Sequence, residues 1–233
     1  MASSTNLFKI LRGMKIAIVE DHALIADLLA TICRRDFKFD VVLNETHGRR
    51  ALPMIRKLRP DLVLLDISLP DIDGLEVADA ILKELPATKV LALSYLRDPV
   101  TLKRVRDSGI HGFVDKRDQS VQRLKEAIDL VSRGHELFYP VVNEVVSPLR
   151  RDPKAYFRML SDYEQQILGL IGEAKSDDEI AVLLGIQPST AQSRRRDIMV
   201  KLDIHTTPKL IRYAIENGFT RSERLQPPPA GGV

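Results

Sequence analysis

The sequence predicts a doubly wound α/β domain on a five-stranded parallel sheet, followed by a small all-α domain. Three observations predict it. Short apolar runs recur near residues 15–20, 39–43, 61–66, 89–94 and 112–115. Amphipathic stretches alternate with them at 23–35, 47–58, 74–84, 99–108 and 119–132. Strands alternating with helical patterns build βαβ units around a parallel sheet. After Arg133-Gly134 the alternation stops, and no further strand candidate follows.

Taken in order, the first strand, Lys15-Ile16-Ala17-Ile18-Val19, runs into Glu20-Asp21. The stretch after it holds Leu28-Leu29-Ala30-Thr31-Ile32 and the lone Cys33, which reads as packed core. Arg59-Pro60 closes the helix before the third strand, and Pro70 and Gly74 shape the loop after Asp66. Leu62 to Leu65 and Val90 to Leu93 are apolar without alternation, as strands covered on both faces are. Gly112-Phe113-Val114-Asp115 is the short fifth strand. Pro140, Pro148 and Pro153 punctuate 134–158, which reads as a linker that retains some helix. Helical segments follow at 162–172, 177–184, 188–202 and 207–217, the last stopped by Asn217-Gly218. The expected division is thus an extension over 1–13, an α/β domain over 14–133, the linker, an all-α domain over 159–220 and a disordered Pro/Gly-rich tail over 221–233.

Composition bounds the function. The 233 residues fit two modest domains, 44% hydrophobic and 29% charged, with a net charge of only +3. One cysteine excludes an internal disulfide, so the fold does not depend on oxidising conditions. No apolar run is long enough to span a bilayer, and residues 1–13 lack a signal-peptide core. Those residues read as an ordered extension, a loose tail, or sequence upstream of a start at Met14. A cytoplasmic protein with no membrane partner is expected.

The chemistry lies at the strand ends. In an open parallel sheet, ligands bind outside the carboxyl ends of the strands. There the sequence sets Glu20-Asp21, then Asp66, then Ser94, then Lys116. Each alone is ordinary: a strand-end acid caps loops, a serine makes turns, a lysine is solvated. Together and in this order they suit a phosphoryl acceptor. Asp66 is the nucleophile. Asp21 and Asp66 supply carboxylates to Mg²⁺, with Glu20 alongside through water and the Ser68 carbonyl as another oxygen, since this ion takes carboxylates, backbone oxygen, water and phosphate oxygens. Lys116 pairs with one phosphoryl oxygen and the Ser94 hydroxyl with another.

At this point residues 14–133 resemble the receiver domain of bacterial two-component response regulators, a flavodoxin-like fold. The resemblance rests on Ile18-Val19-Glu20-Asp21-His22, Pro60-Asp61-Leu62-Val63-Leu64-Leu65-Asp66, Leu69-Pro70-Asp71-Ile72-Asp73-Gly74, Leu93-Ser94 and Gly112-Phe113-Val114-Asp115-Lys116. It implies phosphorylation of Asp66 by a sensor histidine kinase with Mg²⁺. It also implies that Ser94 moves toward the phosphoryl group and that Phe113 changes rotamer. Phe113 reads equally as a plain core phenylalanine, and it lacks a tyrosine's hydroxyl.

The segment from Ser176 to Thr190 reads as helix, tight turn, helix, with Gly185 at the turn and Pro188 at the second helix's entry. That is the outline of a helix-turn-helix. At 100° per residue, Ala191, Ile198 and Leu202 share one side of the second helix, while Ser193, Arg196 and Val200 point away. Ser189, Thr190, Gln192, Ser193 and Arg196 near its start suit major-groove contacts. Arg194, Arg195, Lys201 and Lys209 suit phosphates, the first two lying nearer the apolar side with heads reaching outward. Residues 160–218 resemble the LuxR-type DNA-binding domain of the NarL/FixJ subfamily, through Leu160-Ser161, Glu164, Glu179-Ile180-Ala181, Leu184-Gly185-Ile186, Ser189-Thr190-Ala191, Ile198 and Lys201-Leu202. Departures are Asp177-Asp178, Arg194 for a frequent histidine and Gln192 for a frequent lysine. The resemblance implies dimer contacts on the last helix, with Ile211, Ala214 and Ile215 as candidates.

The reading is a non-enzymatic, DNA-binding transcriptional regulator switched by phosphorylation, which shifts it toward a DNA-competent homodimer on promoter DNA. Two rivals remain: a constitutive DNA binder with a receiver used only for dimerisation, and a protein-interaction regulator that no longer reads DNA.

Overall fold

A computed structural model describes residues 13–118, 120–138 and 140–220. The extension expected before residue 13 and the tail expected over 221–233 lie outside the described residues, which fall into two compact units.

The first unit is a parallel sheet with strands β1 (Lys15–Val19), β2 (Asp40–Glu45), β3 (Leu62–Asp66), β4 (Lys89–Ser94), β5 (Gly112–Asp115) and β6 (Leu137–Phe138). Their order is β2-β1-β3-β4-β5-β6, and every neighbouring pair is parallel. Helices α1 (Ala23–Arg35), α2 (Gly48–Leu58), α3 (Gly74–Glu84), α4 (Pro99–Asp107) and α5 (Val121–Ser132) connect the first five strands and follow the fifth. All of β3 is buried, as its unbroken apolar run requires. Ile16, Ile18, Leu62, Leu64 and Leu91 pack with Leu29 and Cys33 of α1 and with Ile128 and Val131 of α5. Each such aliphatic side chain contributes roughly 1.5–3 kcal/mol on burial. Burial pushes the Cys33 thiol up to about 12, so this cysteine is inert packing.

The sheet has six strands where five were expected. β6 has two residues, Leu137 and Phe138, paired with Gly112 and Phe113. A two-residue strand carries no readable alternation, and its lone ladder partner decides it. The stretch read as a linker also contains a twelve-residue helix, α6 (Pro140–Arg151), and a short turn of helix, α7 (Tyr156–Met159). Pro140 opens α6, where a missing amide costs nothing. Pro148 sits inside the helix, while Val142 and Val146 four residues apart are both buried.

The second unit is helical: α8 (Asp162–Gly172), α9 (Asp177–Leu184), α10 (Pro188–Lys201) and α11 (Thr207–Asn217). Capping boxes start α8 and α9. Ser161 and Glu164 exchange side-chain and backbone hydrogen bonds at one, and Ser176 and Glu179 at the other. Gly185 ends α9 at φ 64°, a left-handed backbone that glycine takes without a Cβ penalty. Its core gathers Leu160, Ile167, Leu168, Ile171, Ile180, Ile198, Leu210 and Ala214. The tight turn between α9 and α10 gives the helix-turn-helix outline.

Candidate functional site

Parallel strands bring their C-terminal ends to one edge, and the sheet order sets β1, β3, β4 and β5 side by side. Glu20 follows β1, Asp66 ends β3, Ser94 ends β4 and Lys116 follows β5. Direct ladder bonds fix the height of these ends. Ile67 N–H donates to Leu93 O at 3.1 Å, and Lys116 N–H to Ser94 O at 2.8 Å.

The Lys116 ammonium is the hub. Its Nζ donates to Asp66 Oδ2 at 2.7 Å and to Glu20 Oε1 at 2.9 Å. Ser68 N–H donates to Asp66 Oδ1 at 2.8 Å, so both oxygens of that carboxylate are held. Glu20 Oε2 lies 2.7 Å from Lys116 Nζ yet out of line for a hydrogen bond, and it accepts none among the described residues although buried. One carboxylate oxygen each from Glu20, Asp21 and Asp66 falls within a 4.8 Å cluster. Three carboxylates facing one ammonium leave two negative charges uncompensated.

The electrostatics follow. Burial first, then the Asp66 charge, push Glu20 up from the ordinary carboxylate range, and Lys116 only partly offsets them. The same two causes in the same order raise the more exposed Asp21. For Lys116 burial is the largest single influence and pulls down, but Asp66 and Glu20 together outweigh it and hold the ammonium charged above its usual value.

The remaining expected residues sit as follows. Ser94 is buried at the end of β4, its Oγ accepting from Leu96 N–H at 3.0 Å. Phe113 is fully buried in β5, two strands from Asp66. Ser68 stands in the loop after β3 and forms an isolated bridge with Asp73. Three neighbours were given no role in the sequence reading. The Tyr95 ring centroid lies 5.5 Å from the Lys116 ammonium. Asp115, buried at the end of β5, binds the Arg97 guanidinium and so ties the loop after Ser94 to the strand carrying Lys116. Asp71 accepts from Gly48 N–H at 2.9 Å and Arg49 N–H at 2.8 Å, fastening the loop after Asp66 to α2. Asp115 and Asp71 both stand inside the quoted motifs. Their partners, 18 and 22–23 residues distant, do not.

In the helical unit, α10 presents Ser189, Thr190, Gln192, Ser193, Arg194 and Arg196 to solvent. Val200 is 79% exposed, while Ala191 and Ile198 are fully buried, as the angular reading requires. Two expected phosphate contacts are otherwise engaged. Arg195 Nε donates to Asp177 Oδ1 at 2.8 Å and its Nη2 to Lys175 O at 3.2 Å, leaving its side chain 13% exposed. Lys201 Nζ donates to Glu164 at 2.7 and 2.8 Å. Burial would lift the Glu164 carboxyl, but hydrogen bonds from Lys201 and Ser161 hold it below its usual range.

Strand-end acids, serine and lysine on one sheet edge, joined in sequence to a helix-turn-helix, define a class. The family model for the response regulator receiver domain matches residues 16–129, and that for bacterial regulatory proteins of the luxR family matches 158–214. The chain belongs to the two-component response regulators that pair these domains, and it is a phosphorylation-switched, DNA-binding transcription regulator. Response regulator protein VraR of Staphylococcus aureus is 28% identical over 206 residues, spanning 88% of this chain and 98% of the relative. A structure of RcsB from Salmonella enterica serovar Typhimurium, bound to promoter DNA with the phosphomimetic BeF3−, aligns at TM-score 0.61 and 22% identity, over 87% of this chain and 98% of that one. A LuxR-family response regulator from Aurantimonas sp. aligns at TM-score 0.54 and 21% identity, over 60% of this chain and 99% of that one. These two structural likenesses speak for the fold. Among the described residues no helix is long and apolar enough to cross a membrane.

Proposed function

We propose that Asp66 accepts a phosphoryl group from a histidine kinase and that the phosphorylated chain dimerises on promoter DNA in the cytoplasm. The observation that carries this is the Lys116 ammonium clamped between Asp66 and Glu20 at the mouth of the sheet. One Asp66 carboxylate oxygen forms the new P–O bond. The P–N bond of the donor phosphohistidine breaks, and its electron pair stays on the imidazole nitrogen. Lys116, already charged and already against Asp66, takes a phosphoryl oxygen as negative charge arrives. Ser94 trades its loop amide for a second phosphoryl oxygen. That exchange pulls on the loop which Arg97 and Asp115 anchor.

The acidic cluster fits Mg²⁺. Its donors are hard oxygens, one buried oxygen accepts no hydrogen bond, and the uncompensated charge matches a divalent ion. Glu20, Asp21 and Asp66 would hold it, with the Ser68 carbonyl as a further oxygen. When bound, it neutralises charge repulsion between the acceptor carboxylate and the phosphoryl group.

The raised acids set a pH dependence. Between the ordinary carboxylate range and their raised folded values, the folded chain holds protons that the unfolded chain releases, so metal-free stability falls as pH rises. The metal needs the deprotonated form. Thermal melts are expected to show a larger Mg²⁺-induced rise at neutral pH than at about pH 5. Asp21→Asn should melt higher than wild type without metal and lose most of the Mg²⁺ increment. An unchanged increment in that variant would remove Asp21 from the metal site.

DNA binding is tested with the full chain and a duplex enriched from a random pool. Acetyl phosphate with Mg²⁺ should tighten binding about tenfold or more and move the free protein from monomer to dimer in sedimentation. Equal affinity with and without the phosphodonor, at unchanged mass, would favour the constitutive binder. Absence of salt-dependent DNA binding in either form would favour the protein-interaction reading.

A further inference from the structure

In the Arg194-Arg195-Arg196 run, the first two read as phosphate contacts and the third as a base contact, but the structure divides it differently. Arg194 and Arg196 are exposed, whereas Arg195 is turned inward. Its guanidinium spans from α10 to the start of α9, meeting Asp177 with one nitrogen and the Lys175 carbonyl with another. A planar fork makes both bonds at once, which a lysine ammonium would not reproduce. We infer that Arg195 and Asp177 form a positioning pair that fixes the rotation of α10, and that Arg195 neutralises no DNA phosphate.

Packing shows why α10 needs it. Over fourteen residues, only Ala191 and Ile198 are buried, and the N-terminal half contributes a single methyl group to the core. So small an apolar seam resists rotation weakly. Lys201 on Glu164 holds the C-terminal end. Arg195 on Asp177 holds the half that carries Gln192 and Ser193. The pair also accounts for Asp177, an acid that departs from the family pattern: its charge is matched by a guanidinium of the same fold. An open groove lined by Lys175, Asp177, Gln192, Arg195, Arg196 and Met199 runs beside the pair.

This inference rests on the DNA-binding reading. Its test uses the full chain, a duplex selected from a random pool by the wild-type protein, and a scrambled duplex of the same composition. Asp177→Arg adds positive charge, yet it is expected to lower the selected-over-scrambled affinity ratio about tenfold or more without weakening the scrambled duplex. The swap of Asp177→Arg with Arg195→Asp should restore most of that ratio. In salt titrations, Arg194→Gln should lower the slope of log K against log salt by about 1, and Arg195→Gln should leave it unchanged. Circular dichroism melts of each variant separate unfolding from misplacement. If Asp177→Arg tightens both duplexes in step, or Arg195→Gln loses as much slope as Arg194→Gln, Arg195 is a phosphate contact and the inference is wrong. A wild-type chain that enriches no duplex from the pool would instead defeat the DNA-binding reading itself.

Discussion

An Asp66→Asn chain incubated with acetyl phosphate and Mg²⁺ gains no phosphoryl adduct, while the wild type gains one. Intact mass spectrometry reads this directly. The expected effect is complete because the amide is no longer an anionic nucleophile. It also loses its Lys116 ion pair at 2.7 Å, leaving that ammonium to Glu20. The Ser68 amide bond to Oδ1 survives the substitution, because an asparagine carbonyl accepts it equally. The variant should therefore fold, so a missing adduct reports chemistry and not collapse. An adduct of equal stoichiometry on the variant would place the acceptor elsewhere and undo the proposed mechanism.

The second large effect is structural. A Cβ on Gly74 would stand 2.2 Å from the Asp66 carbonyl oxygen and 2.6 Å from Ile67 Cα. Both are backbone atoms at the strand end that carries Asp66, and neither can rotate away. Gly74 N–H also donates to Ile67 O at 2.9 Å, so α3 begins pressed against the acceptor strand. Gly74→Ala is expected to cost about 3 kcal/mol, at the upper end of overpacking effects. Urea unfolding measures it, and phosphorylation by acetyl phosphate should slow in the fraction that remains folded. A cost below about 0.5 kcal/mol would mean that the start of α3 shifts freely, contrary to the fit described.

The candidate acceptor site was legible because its residues sit at strand ends, and strand ends are marked by where apolar runs stop. Asp66, Ser94 and Lys116 needed no tertiary knowledge beyond a parallel sheet. β6 was illegible because two residues have no period, and only the open flank of β5 gives them structure. The prolines of α6 carry opposite meanings at its first and ninth positions, and only the buried Val142 and Val146 tell which applies. Periodicity placed Arg195 near the apolar side of α10, which was correct in angle. It sent the head outward, because an acid on another helix 18 residues away is invisible to a helical wheel.

β6 has a bearing on self-association. Without it, β5 would end the sheet with a row of unpaired amides and carbonyls, a template on which a foreign strand can build. Pairing Leu137 and Phe138 to Gly112 and Phe113 occupies the first half of that row and makes the outer strand on this flank two residues long among the described residues. An edge so short offers another chain little to zip onto. The stretch after α5 thus acts as a selvage for the sheet, guarding against fibrous stacking while the other end of the same strand keeps Lys116 in place.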